Sequence, residues 1–264
     1  MLKNLKKAPS GTQTILRTVQ LLKAVAERKE IGWRLTDLAA HCGLEKSTAY
    51  RIVAGLASQR VLRQRPRDRR YVAGPLLYEL SLALPTHDAF KQAVHTHLLD
   101  LTRRLNGIAF LYLLAGNETV CIDRVGETSP PPLTGIGTRR PLLQSTFGMS
   151  MLLAMPKARQ KEFLQPAGAK PSSGDRAAGY RRILQRSRRY GFGLNIDDIV
   201  PALTTVAVPV FDQNGFPFAS IGIMAPTRDV PESRLASIAK ILNERVRRLE
   251  TEHSELIVEL SQAM

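Results

Sequence analysis

Cysteine is nearly absent. Cys42 and Cys121 are the only two in 264 residues, too few and too far apart for a disulfide framework or a four-ligand zinc site. A reducing compartment is expected. Long apolar runs are missing as well: no stretch approaches the roughly 18 apolar residues of a membrane span. The segment Met1-Leu-Lys-Asn-Leu-Lys-Lys7 lacks the apolar core of a signal peptide, so a cytoplasmic chain without membrane contact is expected. Catalytic signatures are lacking too, with no Gly-x-x-x-x-Gly-Lys-Ser loop, no Gly-x-Ser-x-Gly elbow and no His-Glu-x-x-His. Gly135-Ile-Gly137 begins a dinucleotide-like run, but Arg140 stands where the third glycine belongs, and the segment reads as a turn. His95 and His97 lie two apart in a predicted helix and so point in different directions, which argues against a shared metal and for a role on the helix surface. Asp197 and Asp198 have no third partner for acid–base work and read as loop or ligand-orienting residues. No enzyme activity, cofactor or metal is expected.

Acidic residues are outnumbered. Thirty-eight Lys and Arg face 23 Asp and Glu, a net charge of +15. Residues 1–85 carry 16 basic and 6 acidic side chains, net +10, leaving +5 for residues 86–264. Such a concentration favours a polyanion, because each phosphate neutralised releases condensed counterions. A composition of 44% hydrophobic and 23% charged residues is that of a globular chain, and its length suits two domains.

From Thr14 to Lys29, Ile15, Val19, Leu22 and Val25 recur at intervals of three and four, the spacing of one buried helical face. A second, short helix starts near Thr36 as N-cap and ends at Cys42, with Gly43 where a tight turn needs positive φ. A third runs from about Glu45 to Arg60. It turns Ala49, Ile52, Val53 and Leu56 inward and leaves Lys46, Ser47, Thr48, Tyr50 and Arg51 mostly outward. A short helix, a glycine turn and a third helix opening with hydroxyl and basic side chains make a helix-turn-helix, whose last helix enters the major groove. Arg51 suits either a guanine edge or a phosphate. Val61 to Tyr71-Val72 has apolar ends around a charged, Pro-Asp-containing middle, as a β-hairpin wing would. Arg65, Arg67, Arg69 and Arg70 on its tip suit the flanking backbone or minor groove.

The run Thr36-Asp-Leu-Ala-Ala-His-Cys-Gly-Leu-Glu-Lys-Ser-Thr-Ala-Tyr-Arg51, with Arg70-Tyr-Val-Ala-Gly-Pro-Leu-Leu77 after it, resembles the IclR-type bacterial transcription regulators, and the match spans nearly the whole chain. The resemblance implies that Lys46, Ser47, Thr48 and Arg51 contact double-stranded operator DNA. It also implies a dimer formed through the N-terminal domains and partly palindromic operators.

Pro75 can open a helix bearing Leu76, Leu77, Leu80 and Leu84 before Pro85 stops the pattern, a linker. A helix from His87 to Leu105 follows. Next come two β-prone pairs of runs, Ile108–Leu114 with Thr119–Val125 and Thr204–Phe211 with Pro217–Met224, each pair joined by a turn. Helices are predicted at Phe147–Met155, Asp175–Tyr190 and Ser233–Glu259, the last with Leu235, Ile238, Leu242, Val246 and Leu249 on a core-packing face. The expected fold is α+β. It comprises a winged helix-turn-helix domain over 1–74, a linker helix over 75–86, and an effector-binding and oligomerisation domain over 87–264 that resembles the family's GAF-like sensor, with an antiparallel sheet.

The family's sensor motif is matched at Gly137-Thr-Arg-Arg-Pro-Leu142, at Gly148 opening a helix, and at Val206-Ala-Val-Pro-Val-Phe-Asp212. Free N–H groups at that helix start would receive a carboxylate, which singles out Phe147, Gly148 and Met149, with Leu142 beside them. Several usually polar positions of the resemblance are altered. Leu143 replaces a His, Met149 a Lys or Arg, Asn195 an acid, Ala202 a Gly and Thr205 a Cys, and the last strand carries Gly222-Ile-Met224 for Ser-x-Ser. With Asp197, these residues outline a pocket suited to an aromatic or largely apolar acid. The expectation is a repressor or activator, homodimeric or homotetrameric, whose operator binding responds to such an effector. The competing classes are a small-molecule enzyme with a nucleic-acid-binding appendage and a ligand-independent DNA-binding protein.

Overall fold

The computed structural model describes residues 11–28, 31–127, 135–164 and 175–263. The segment Met1–Lys7 and Lys29, the expected end of the first helix, lie outside the described residues. The chain groups into two compact units, residues 1–85 and 86–264.

The first unit holds α1 (Gln13–Glu27), α2 (Leu35–His41) and α3 (Lys46–Ser58), then an antiparallel hairpin of β1 (Leu62–Gln64) and β2 (Tyr71–Ala73), and α4 (Pro75–Ser81). Gly43, between α2 and α3, takes φ +63°, the left-handed conformation the tight turn demands. The core gathers Leu21 and Val25 of α1, Leu38 of α2, Val53 of α3 and Leu62 of β1 around Trp33. The Trp33 indole donates to the Ala24 carbonyl at 2.8 Å, and its backbone pairs with Tyr71, tying the hairpin to the helices.

Three local expectations are corrected. The buried face of α1 is Leu21, Ala24 and Val25, whereas Ile15 and Val19 are 62% and 44% exposed. Apolar spacing of three and four fits either a core face or a second face left uncovered in a single chain, and α1 has both. Thr36 lies inside the first turn of α2, where Arg34 is the N-cap residue and no side chain caps the helix. Pro85 opens a helix rather than stopping one: α4 ends at Ser81, and α5 runs Pro85–Leu105. The first helical turn needs no N–H from Pro.

The second unit is built on a six-stranded antiparallel sheet. Its strands are β3 (Ile108–Ala115), β4 (Glu118–Val125), β5 (Arg139–Pro141), β6 (Gly193–Ile196), β7 (Leu203–Phe211) and β8 (Pro217–Pro226), in the order β5-β4-β3-β8-β7-β6. Both expected hairpins are present, and they pair with each other through β3 and β8. Alternate residues go to opposite faces. Leu111, Val206, Val208 and Ile221 meet α5 and α9 (Glu232–Glu252), while Phe110, Tyr112, Ala207 and Met224 form the other face, against Phe147 of α6 (Thr146–Ala154). Two further helices, α7 (Lys157–Leu164) and α8 (Asp175–Tyr190), follow α6.

Helix α9 buries Leu235, Ile238, Leu242, Val246 and Leu249, each contributing about 1.5–3 kcal/mol if fully removed from water. The single helix expected to reach Glu259 is instead broken at His253, after which α10 (Ser254–Ala263) turns Ile257 and Leu260 into the same core. His95 and His97 do point apart. His95 is half-exposed on the helix surface, with Nδ1 2.7 Å from the buried Asp123 carboxylate, whereas His97 lacks the surface role expected of it and is only 4% exposed. Burial, reinforced by the charge of Arg245, holds the His97 imidazole below its ordinary pKa. No helix among the described residues is long and apolar enough to cross a membrane.

Candidate DNA interface and effector pocket

Helix α3 buries Ala49 and Val53, which fixes its rotation and leaves Lys46, Ser47, Tyr50 and Arg51 exposed on the opposite side. Thr48 is half-buried. With Arg51 it lines a broad groove against Arg17 and Thr18 of α1. The exposed face therefore offers two cations, a hydroxyl and a phenol along two turns, the donor set that phosphates and base edges accept.

The hairpin separates its four arginines into two kinds. Arg65 is held by the Asp68 carboxylate at 2.6 Å and also donates to the Ile31 carbonyl; Arg70 donates to the same carbonyl at 3.3 Å. Desolvation alone would raise the Asp68 carboxyl, but hydrogen bonds from Arg65 and the Arg70 amide, with the charges of Arg65 and Arg67, hold it below its ordinary value. Arg65 and Arg70 thus clamp the turn, whereas Arg67 and Arg69 are exposed and have no ion-pair partner among the described residues. Sequence alone gave no means of separating them, because the Asp68 contact depends on the turn geometry.

In the second unit a cavity of about 90 Å³ lies between the sheet and the start of α6. Each of four neighbouring strands supplies one residue: Tyr112 from β3, Met224 from β8, Thr205 from β7 and Asn195 from β6. Phe147 from α6, Tyr180 and Ile183 from α8, and Ile199 and Val200 enclose it. Arg140, Gln144, Ser145 and Thr146, from β5 to the first residue of α6, complete the lining. Of the residues expected from sequence, Phe147, Asn195, Thr205 and Met224 meet there.

The other expected pocket residues are not in its lining. Leu142 is buried in a separate cluster with Met151, Leu152 and Met155. Gly148 lies so close to Leu142 that a Cβ would sit 2.2 Å from its carbonyl oxygen, and its N–H is capped by Ser145 Oγ at 3.2 Å. Met149 is buried outside the cavity lining. Asp197 accepts from the Thr227 hydroxyl at 2.8 Å, and Gly222 lies beneath the Phe147 ring. Asp198 is clasped by Arg182 and Arg186 of α8, and its N–H donates to Asn195 Oδ1 at 3.2 Å.

Arg140 is the residue that sequence reasoning missed. On β5, Arg139 turns to Glu118, with Nε 3.0 Å from Oε2, and its neighbour must face the other way, into the cavity. Arg140 has no carboxylate partner among the described residues, and it is the one charged side chain among those lining this cavity. Strand alternation within Gly137-Thr-Arg-Arg-Pro-Leu142 was the signal that could have found it.

Two family models match the chain: IclR helix-turn-helix domain over residues 14–66, and Bacterial transcriptional regulator IclR C-terminal over residues 83–251. This chain belongs to the IclR family. Like its relatives, it is a DNA-binding transcription regulator with a C-terminal effector-binding domain. The HTH-type transcriptional regulator KdgR of Escherichia coli is 26% identical over 251 residues, covering 93% of this chain and 94% of its own. The IclR structure from Thermotoga maritima aligns with a TM-score of 0.60 at 25% identity over 90% of this chain and 98% of its own. An IclR homologue from Microbacterium hydrocarbonoxydans, complexed with 4-hydroxybenzoate, aligns with a TM-score of 0.65 at 22% identity, again over 90% and 98%.

Proposed function

We propose that this IclR-family regulator responds to an aromatic or largely apolar monocarboxylic acid bound in the cavity beneath α6, with the acid's carboxylate on Arg140. The observation that carries this reading is the charge pattern of the lining: one cation without a carboxylate partner among the described residues, set among Tyr112, Phe147, Met224 and Ile183, with only uncharged polar groups such as Asn195, Thr205 and Gln144 beside them. Desolvating that cation beside apolar walls is costly unless an anion joins it. The complex of the Microbacterium homologue with 4-hydroxybenzoate supports the same chemical class.

In this reading Lys46, Ser47, Thr48, Tyr50 and Arg51 engage the operator, and Arg67 and Arg69 add phosphate contacts from the wing. The exposed Ile15, Leu16 and Val19 of α1 form the face on which a second copy packs. The protein acts in the cytoplasm and catalyses no reaction. Effector and DNA are coupled through two arrangements of that dimer, each favoured by a different ligand state.

The test is binding of the purified protein to its own upstream intergenic DNA, titrated with salt and repeated with a panel of aromatic and aliphatic acids. Specific binding that an aromatic acid shifts, and that Arg140→Gln makes insensitive to the acid, is the expected result. One observation favours a second reading, ligand-independent DNA binding: a cavity of about 90 Å³ is smaller than an aromatic acid. Operator affinity indifferent to every acid would select it.

A further inference from the structure

The cavity is smaller than the ligand class it is meant to hold. A dry cavity of roughly 150 Å³ is what accommodates a benzene ring, and about 90 Å³ is open here. The site is partly open to solvent, so an aromatic ring is buried in it completely only if a wall moves. The wall that already resembles a ligand is Phe147. Its ring lies stacked on Tyr112, with centroids 4.2 Å apart and planes inclined by 22°, and it meets Phe110 edge-on at 5.8 Å. Beneath it Gly222 contributes no side chain, and a Cβ there would come within 2.8 Å of Phe147 Cε1. The Phe147 ring lies against the space that a side chain at 222 would enter.

We infer that Phe147 is an internal occupant of the effector pocket, holding the place on Tyr112 that the ring of an aromatic effector takes when it binds. This rests on the aromatic-acid reading above and adds to it a determinant of ligand size. Binding exchanges one aromatic stack for another, so the effector gains little from Tyr112 while Phe147 competes. The position of Phe147 in the first turn of α6 makes its displacement local. Gly148, next in the chain, is locked against Leu142 and capped by Ser145, so the ring can swing about a fixed helix start.

The experiment is calorimetric titration of the full-length protein with benzoate and with 2-naphthoate, in wild type, Phe147→Ala and Phe147→Leu. Wild type is expected to bind benzoate weakly and to exclude the bicyclic acid. Removing the competing stack, an interaction equivalent to roughly 2- to 13-fold in a binding constant, should tighten benzoate by about tenfold in Phe147→Ala. The space vacated should admit 2-naphthoate. Phe147→Leu keeps an apolar side chain in the core and should move both affinities the same way by less, which secures the result if Phe147→Ala fails to fold. Wild-type benzoate binding that either variant weakens, or an unchanged preference for the smaller acid, would overturn the inference and make Phe147 an ordinary wall of the site. Absence of binding of either acid by wild type and by both variants, with operator binding intact, would instead overturn the aromatic-acid reading and the inference with it.

Discussion

The wing offers the sharpest quantitative test of how the positive charge is used. Arg67 and Arg69 are exposed at the tip, while Arg65 and Arg70 are occupied by Asp68 and the Ile31 carbonyl. If the two free arginines each neutralise one phosphate, a Arg67→Ala, Arg69→Ala double variant removes two contacts per chain. Each contact contributes about 0.9 to the slope of log K against log salt, so a dimer should lose roughly 3.6 from that slope. Between 50 and 200 mM salt, the affinity lost by the wild type should then exceed that lost by the variant by on the order of 100-fold.

Fluorescence anisotropy with a labelled operator fragment, measured across that range, reads the slope directly. Arg65→Ala serves as the contrast, because truncating it removes a clamp from the turn rather than a contact from the DNA. Its expected signature is a lower melting temperature of the N-terminal unit and weaker binding at all salt concentrations, with a slope closer to that of wild type. A slope unchanged by the double variant, or lowered more by Arg65→Ala, would refute the division of these arginines into clamps and contacts.

Arg140→Gln should weaken binding of an aromatic acid by about 10- to 150-fold, the equivalent of 1.5–3 kcal/mol for a hydrogen bond to a charged group, without altering operator affinity in the absence of acid; calorimetry and anisotropy separate the two. Because the folded pKa of His97 lies below its ordinary value of 6.5, its contribution to stability is complete above that pH and is lost as the pH falls below it, by at most about 1.4 kcal/mol per unit. Melting at pH 7.5 and 5.5 should therefore differ less in His97→Gln than in wild type, and an equal difference would clear His97 of the effect. Ala202 adopts φ +63° in an exposed loop, a conformation costing a side-chain-bearing residue about 1–2 kcal/mol. Ala202→Gly should raise the melting temperature by a few degrees even though it deletes a methyl group. Ile15→Glu with Val19→Glu should leave the fold of the first unit intact and shift sedimentation toward the monomer.

The helix-turn-helix was legible because every signal for it is local. The apolar spacing of Ala49 and Val53 fixes which way α3 faces, and Gly43 fixes the turn before it. The two hairpins of the sheet were legible for the same reason. Features set by packing between distant segments were not. Strands β5 and β6 are three and four residues long, too short for alternation to stand out, and each exists because a longer neighbour offers it an edge. The register shift in the β3–β4 pairing between Leu111 and Tyr112 lets Cys121 join Tyr112 on one face while Asp123 reaches His95 on the other. Plain alternation puts those two residues on the same side. The effector pocket was half legible. Of the positions flagged beforehand, Asn195, Thr205 and Met224 converge from neighbouring strands, whereas on helix α6 only Phe147 reaches the cavity and Gly148 and Met149 do not, because a helix start spreads consecutive residues around its axis.

What separates function from architecture in this chain is the company each arginine keeps. Arg139 has Glu118, Arg182 and Arg186 share Asp198, Arg245 has Asp100, and Arg65 has Asp68. Those side chains are held by carboxylates within the fold. Arg51, Arg67, Arg69 and Arg140 have no carboxylate partner among the described residues. Three of them are exposed in the unit that carries most of the net charge, and the fourth faces a cavity of aromatic, aliphatic and uncharged polar side chains. An exposed cation is satisfied by water and waits at little cost for a phosphate, so the DNA face can be preformed. A cation against apolar walls is poorly solvated, so its site gains most when an anion arrives, and only one whose remainder is itself apolar fits the space that Phe147 would vacate. The same residue type therefore serves a polyanion through exposure and a single small anion through partial burial.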